Sequence, residues 1–270
     1  MRRTLIALGL SLLTATPALA AQCITSKGEW SAYKQSLAAE AKAAGVGQRG
    51  LSALANLPLS DRTWRFAASP SGQGVGATSP AKLIEGKTQV SVDRFVALAR
   101  GKIQANQRLF TAVEQNFGVP SELLVVLWGL ESSFGNYLGR EPVLSGAITL
   151  SSHCRRHQQF RPNAIAALKL VDRGGLDTSM KGGPTGEFGH FQFIPIRWTE
   201  YGIDANGDGR ADPYNLADSM ASAANMLRKN GWRPGQPFGE GTANFRVLSA
   251  WNDSGNYQRA IAFVAERIGR

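Results

Sequence analysis

Ser121-Glu-Leu-Leu-Val-Val-Leu-Trp-Gly-Leu-Glu-Ser-Ser-Phe-Gly135 decides how this chain is read. Pro120 suits the opening of a helix, where no backbone N–H is needed. Glu122 in the first turn complements the positive end of the helix dipole. Residues 123–130 are almost unbroken apolar sequence, so the helix is expected to be buried rather than amphipathic. Glu131 follows Trp128, Leu127 and Leu124 by three, four and seven residues and shares their face. A carboxyl there is expected to be desolvated and to lie against the negative end of the dipole. Both effects favour its protonated form, the state of a general acid. A structural Glu paired with a buried Arg would give the same local sequence.

Working outward, Met1 to Leu13 has a basic start and a short apolar stretch, and Pro17-Ala-Leu-Ala20 offers an Ala-x-Ala cleavage site. Residues 1–20 are therefore expected to be a signal peptide. Cys23 does not directly follow that site, which predicts a soluble exported or periplasmic protein and not a lipoprotein. No segment has the length of a transmembrane span. Cys23 and Cys154 could pair in an oxidising compartment, and their spacing neither requires nor forbids it.

Without residues 1–20 the chain holds 28 basic and 20 acidic residues, a balance of about +8. That suits an anionic partner such as a wall polymer or membrane surface. The positive charges are scattered with no aromatic-interleaved basic strip, which argues against nucleic acid. Helical patterning is expected over 29–57, with Gly45 and Gly47 as interruptions, and over 92–117, 162–173, 216–230 and 256–268. Residues 66–80 have loop chemistry, residues 181–195 form a Gly-rich shaped loop, and strand patterning is scarce, so the fold class is mainly α.

Asp204-Ala-Asn-Gly-Asp-Gly-Arg-Ala-Asp212 places oxygen side chains at loop positions one, three and five and Gly at six. This is the spacing of an EF-hand-like calcium loop, with Asp204, Asn206, Asp208 and the Arg210 carbonyl as ligands. The usual twelfth-position Glu is Asn215, so Asp218 is the candidate to close a longer loop. An ion-free loop rich in Asx turns is the competing reading.

Taken together these pieces resemble the B-type lytic murein transglycosylases. The resemblance runs from Phe117-Gly-Val-Pro-Ser-Glu through Gly135, then Thr149-Leu-Ser-Ser-His-Cys-Arg-Arg-His-Gln-Gln-Phe160 and Met180-Lys-Gly. It continues through Gly186-Glu-Phe-Gly-His-Phe-Gln-Phe-Ile-Pro195, the 201–209 segment, Ala224-Asn, Gly231-Trp and Trp251-Asn252. It is collinear over roughly 90–270 and weak before that. The implied organisation is a signal peptide at 1–20, an N-terminal helical and loop region at 21–90, and a lysozyme-like catalytic domain at 91–270.

The resemblance implies cleavage of the β-1,4 bond between N-acetylmuramic acid and N-acetylglucosamine of peptidoglycan. Glu131 falls on the single acid/base, and the sugar's own C6 hydroxyl is the nucleophile, unlike the usual two-carboxylate scheme. Gln192, Arg155, Arg156 and Asn252 fall on substrate-contacting positions, and Asp218 on a calcium ligand. Gly183 replaces a family Ser, Glu187 a small residue, Met226 a frequent aromatic and Trp251 a Tyr. Glu141 and Glu187 are the other acids near these motifs. A muramidase using Glu131 and Glu187, or a non-catalytic wall-binding module, are the alternatives.

Overall fold

The computed structural model describes residues 21–70 and 79–270. The expected signal peptide at 1–20, and residues 71–78 of the expected loop at 66–80, lie outside them.

A disulfide joins Cys23 to Cys154, with Cα atoms 4.7 Å apart, and ties the N-terminal segment, a strand only in its single bridge at Ile24, to the core. Beside it Ile24 N donates to Ser152 O and Ile24 O accepts from Cys154 N, at 2.8 and 3.1 Å. Helix α1 (Trp30–Ala43) buries Tyr33, Leu37 and Ala41, which follow one another at intervals of four on one face. The single helix expected over 29–57 is instead two. Gly45 turns the chain at φ +84°, and α2 (Gln48–Ala55) restarts beyond Gly47. In α2, Gly50 lies so close to the Leu168 carbonyl that a Cβ would sit 2.6 Å from it.

Helix α3 (Asp61–Ala68), capped by the Ser60 hydroxyl on Thr63 N, takes up residues 66–68 of the expected loop. Ser79 and Ser91 cap α4 (Pro80–Thr88) and α5 (Val92–Ala105) in the same way. The helix expected over 92–117 breaks at Asn106, where α6 (Gln107–Phe117) begins. Asn106 bonds its side chain back to Lys102 O, the local competition that makes Asn a helix breaker.

Helix α7 (Ser121–Ser132) lies at the centre, with ten of its twelve residues buried. It packs against α4, α5, α6 and two later helices. A short strand β1 (Glu141–Pro142) leads into α8 (Val143–Ser152), which is buried throughout. Helix α9 (His157–Asp172) starts five residues before the expected 162 and carries Pro162 within it. Strand β2 (Lys181–Gly182) pairs antiparallel with β1, Glu141 opposite Gly182.

The remaining helices are α10 (Pro195–Tyr201), α11 (Leu216–Lys229), α12 (Ala243–Val247) and α13 (Gly255–Ile268). The expected helices at 216–230 and 256–268 agree with α11 and α13 to within a residue. One apolar cluster runs from Ala21 to Ile268. Full burial of a Leu such as Leu124 or Leu127 contributes about 1.5–3 kcal/mol each. Among the described residues no helix is long and apolar enough to cross a membrane.

Candidate active site

Helix α7 ends abruptly beside Glu131. Ser133, Phe134 and Gly135 all take the left-handed backbone region, at φ +51°, +59° and +81°. Such a run in non-glycine residues is costly and is held by its surroundings. It folds Phe134 back against Phe95 and Trp128, with ring centroids at 5.3 and 5.8 Å. This explains a glycine in a buried helix: a Cβ on Gly129 would lie 2.5 Å from Phe95 and 2.7 Å from Phe134. With the chain turned aside, Glu131 is left only half-buried on an otherwise buried helix.

The same helix end is clamped to the Gly-rich loop. Ser132 Oγ donates to His190 O at 2.6 Å, and Trp128 Nε1 donates to His190 Nδ1 at 3.2 Å. Burial holds the His190 pKa below its ordinary 6.5, in keeping with a neutral ring that accepts at Nδ1. His190 N in turn donates to Pro213 O, which fastens the loop to the segment following 204–212.

Two donors from the C-terminal part of the chain fix the Glu131 carboxyl. Trp251 Nε1 donates to Oε1 at 3.0 Å, and the Tyr257 hydroxyl donates to the same oxygen. Burial, and then the Glu131 charge, push the Tyr257 pKa far up, so it stays a phenol and a donor. Oε2 accepts no hydrogen bond among the described residues. Glu131 opens into a cleft of about 420 Å³ whose other walls include Phe191, Gln192, Met226, Trp251 and Asn252. Phe191 and Phe193 set their rings edge-on to Trp251, at 6.0 and 5.5 Å, and hold the indole in place.

Of the residues singled out in the sequence, Glu131, Gln192, Asn252 and Glu187 meet in this cleft. Gln192 sits at φ +47°, and its Nε2 donates to Gly189 O at 2.8 Å. Arg155 and Arg156 do not line the cleft. They occupy the turn between α8 and α9, where the Arg156 guanidinium lies 5.5 Å from the centre of the Phe66 ring. Glu141 is on β1, bound to Arg62 at 3.2 Å. Trp251 stood out in the sequence as part of the Trp251-Asn252 landmark and as a departure, not as a donor to Glu131. Tyr257 was missed, since in sequence it is one more aromatic on an amphipathic helix.

In the 204–212 loop, Gly207 N and Gly209 N each donate to one oxygen of Asp204 at 2.8 Å. Asn206 Oδ1 and Asp208 Oδ1 accept from Asp208 N and Arg210 N. Asp218 is fully buried in the first turn of α11. Its Oδ1 accepts from Ala205 N and Asn206 N, and its Oδ2 from Asp212 N, so it ties both limbs of the loop together. Asn215 instead caps α11 with its side chain. The donors are all hard oxygens of the kind Ca²⁺ takes. Among the described residues no three His, Cys, Asp or Glu groups gather into a metal-ready cluster.

A helical protein whose central buried helix brings an acid to a cleft is the class these features define. The family model described as Transglycosylase SLT domain matches residues 29–241, and the chain belongs to that family. The match reaches further toward the N-terminus than the sequence motifs do. The membrane-bound lytic murein transglycosylase B of Escherichia coli (strain K12) is 30% identical over 123 residues, 45% of this chain and 34% of that protein. The chain thus spans about a third of that relative's length.

Among solved structures, SltB3 of Pseudomonas aeruginosa in complex with NAG-anhNAM-pentapeptide superposes with a TM-score of 0.78. It is 22% identical, over 89% of this chain and 79% of that one. SltB1 of the same organism gives 0.77 at 20% identity, over 88% and 98%. The Escherichia coli lytic transglycosylase Slt35 in complex with calcium gives 0.74 at 19%, over 87% and 92%. The fold is the lysozyme-like helical one that the resemblance implied.

Proposed function

We propose that this chain is an exported lytic transglycosylase that cuts the β-1,4 bond between N-acetylmuramic acid and N-acetylglucosamine of peptidoglycan. The observation that carries the reading is the Glu131 carboxyl at a cleft, with one oxygen held by Trp251 and Tyr257 and the other unengaged among the described residues. Oε2 delivers its proton to the glycosidic oxygen as the bond to C1 breaks. The C6 hydroxyl of the same muramyl residue attacks C1, and its proton returns to Oε2. The product carries a 1,6-anhydro ring, and the acid is restored without water.

Gln192 and Asn252, on the cleft walls, are assigned to hydroxyl and acetamido groups. Arg155 and Arg156 are assigned to carboxylates of a stem peptide beyond the cleft, through forked hydrogen bonds. Asp204, Asn206, Asp208, Asp218 and the Arg210 carbonyl would hold Ca²⁺, which would supply cross-linking charge to the loop and take no part in bond cleavage. The 34% coverage of the Escherichia coli protein leaves its whole activity a matter of this proposal.

Glu187 in the same cleft favours a second reading, a two-carboxylate muramidase. Mass spectrometry of fragments released from purified peptidoglycan separates the two. Anhydro-muropeptides from the mature protein, lost by at least about a hundredfold in Glu131→Gln, are expected. Hydrated reducing ends would favour the hydrolase, and undiminished release by Glu131→Gln would remove Glu131 from the chemistry.

A further inference from the structure

Two of the departures from the family pattern, Gly183 and Glu187, are one feature in space. Gly183 is not in the left-handed backbone region, so its conformation alone would admit a side chain. Glu187 is what excludes one: a Cβ at 183 would lie 2.5 Å from Glu187 Oε2 and 3.2 Å from Gln192 Oε1. Thr185 holds the Glu187 carboxylate there. Its backbone N donates to Oε2 at 3.1 Å, and its hydroxyl donates to Oε1. Gly183 N also donates to Glu187 O at 2.7 Å, which locks the two strands of the turn.

Gln192 commits its Nε2 to Gly189 O, so it presents Oε1 as an acceptor. Two acceptor oxygens, one of them charged, therefore lie close to one another on side chains that line the cleft holding Glu131. Among the described residues Glu187 has no ion-pair partner. A partly buried carboxylate without a cation gains most from a ligand that brings one.

We infer that Glu187 and Gln192 form a subsite for a primary ammonium group of the substrate, which selects glycan carrying a free amine. The inference rests on the peptidoglycan reading and narrows it. An ammonium has three donors and no acceptor, so it satisfies both oxygens at once. Its hydrogen bonds to a carboxylate are about twice as strong as neutral ones. An acetamido group offers one neutral N–H where the ammonium offers three charged ones, so it can serve Gln192 but leaves the Glu187 charge uncompensated. The amine belongs either to a de-N-acetylated sugar or to the diamino acid of a stem peptide, and the two have the same chemistry.

The test compares matched substrates with the mature protein and Glu187→Gln. Stem-free strands, fully N-acetylated or partly de-N-acetylated, probe the sugar amine. Stem-bearing N-acetylated strands, with the stem amine free or chemically acetylated, probe the peptide amine. The free amine in one pair is expected to raise kcat/KM about tenfold, the equivalent of about 1.4 kcal/mol. In Glu187→Gln that ratio is expected to fall to about one, and the responding pair identifies the source.

A ratio near one in the unmodified protein for both pairs would overturn the subsite while leaving the function intact. So would a preference that persists in Glu187→Gln. If the unmodified protein cuts no strand, the functional reading fails instead. Calorimetry then decides the subsite, with two pairs of ligands, glucosamine and N-acetylglucosamine tetramers and stem peptide with its side-chain amine free or acetylated, both titrated into Glu131→Gln with and without Glu187→Gln. Tighter amine binding that vanishes without Glu187 supports it, and equal affinities in both pairs overturn it.

Discussion

At the residue scale, Glu131 depends on donors that lie 120 and 126 residues further along the chain. A hydrogen bond to a charged group is worth about 1.5–3 kcal/mol. Tyr257→Phe keeps the buried ring and removes one donor, so turnover is expected to fall roughly ten- to a hundredfold. The melting temperature should stay within a few degrees. Release of soluble fragments from peptidoglycan measures the first and calorimetry the second, and an undiminished rate would remove Tyr257 from the site. Gly183→Ser makes a different demand, because its Cβ must displace a carboxylate that Thr185 holds. It is expected to lower thermal stability, and Gly183→Ser with Glu187→Gly to recover it. If the two changes are simply additive in a double-mutant cycle, the coupling of the two positions is wrong. Glu131 was legible as an acid set apart on its helix, because a lone acid in an apolar helix has few explanations. Tyr257 and the Gly183–Glu187 contact were not, since no spacing within one segment encodes a meeting between distant ones.

At the scale of elements, the structure rewards periodicity and punishes its absence. Helices α1, α11 and α13 were legible from apolar spacing, and α7 from unbroken apolarity with a helix-starting Pro. Helix α8 was not, because Leu-Ser-Gly-Ala-Ile-Thr-Leu-Ser-Ser (144–152) alternates small polar and apolar residues and is buried on every side. Its hydroxyls all find partners: Ser151 and Ser152 donate to Ile148 O and Thr149 O within the helix, Ser145 donates to Pro58 O, and Thr149 accepts from Ser60 N. The breaks at Gly45 and Asn106 depend on one residue each, which patterning over a dozen residues averages away.

The 204–212 loop was legible as an oxygen-rich turn, and the structure adds how Asp218 ties it to α11. Asp218→Asn would set an amide against backbone N–H donors that now face carboxylate oxygens. A loss of about 2–4 kcal/mol of stability is expected. Chelator should lower the melting temperature of the unmodified protein and add little in Asp218→Asn. A melting temperature indifferent to chelator would leave the loop as an ion-free Asx-turn structure.

At the scale of the whole molecule, both ends of the described chain are fastened to the frame around α7. Arg100, on α5, donates to Arg267 O and Ile268 O at 2.8 and 3.1 Å, satisfying terminal carbonyls of α13. Helix α13 carries Tyr257 to Glu131, so this fastening acts on the site directly. The N-terminal strand is held by Cys23–Cys154 and by backbone bonds at Ile24, with no member lining the cleft. The disulfide spans 131 residues, and closing so long a loop in the unfolded chain is worth about 5 kcal/mol on entropy alone. Cys23→Ser is therefore expected to cost roughly 2–5 kcal/mol, a fall in melting temperature of roughly 5–15 °C. Turnover well below the transition should be unchanged, because the strand meets α8 at its far end from β1 and the Gly-rich loop. Thermal unfolding with and without reductant, beside fragment release at 25 °C, reads both quantities. Equal melting temperatures would mean that the packing of Ala21 and Ile24 and their backbone bonds already hold the strand. A loss of turnover with an unchanged melting temperature would instead show that the strand reaches the cleft through α8, and the separation of anchor from site would be wrong.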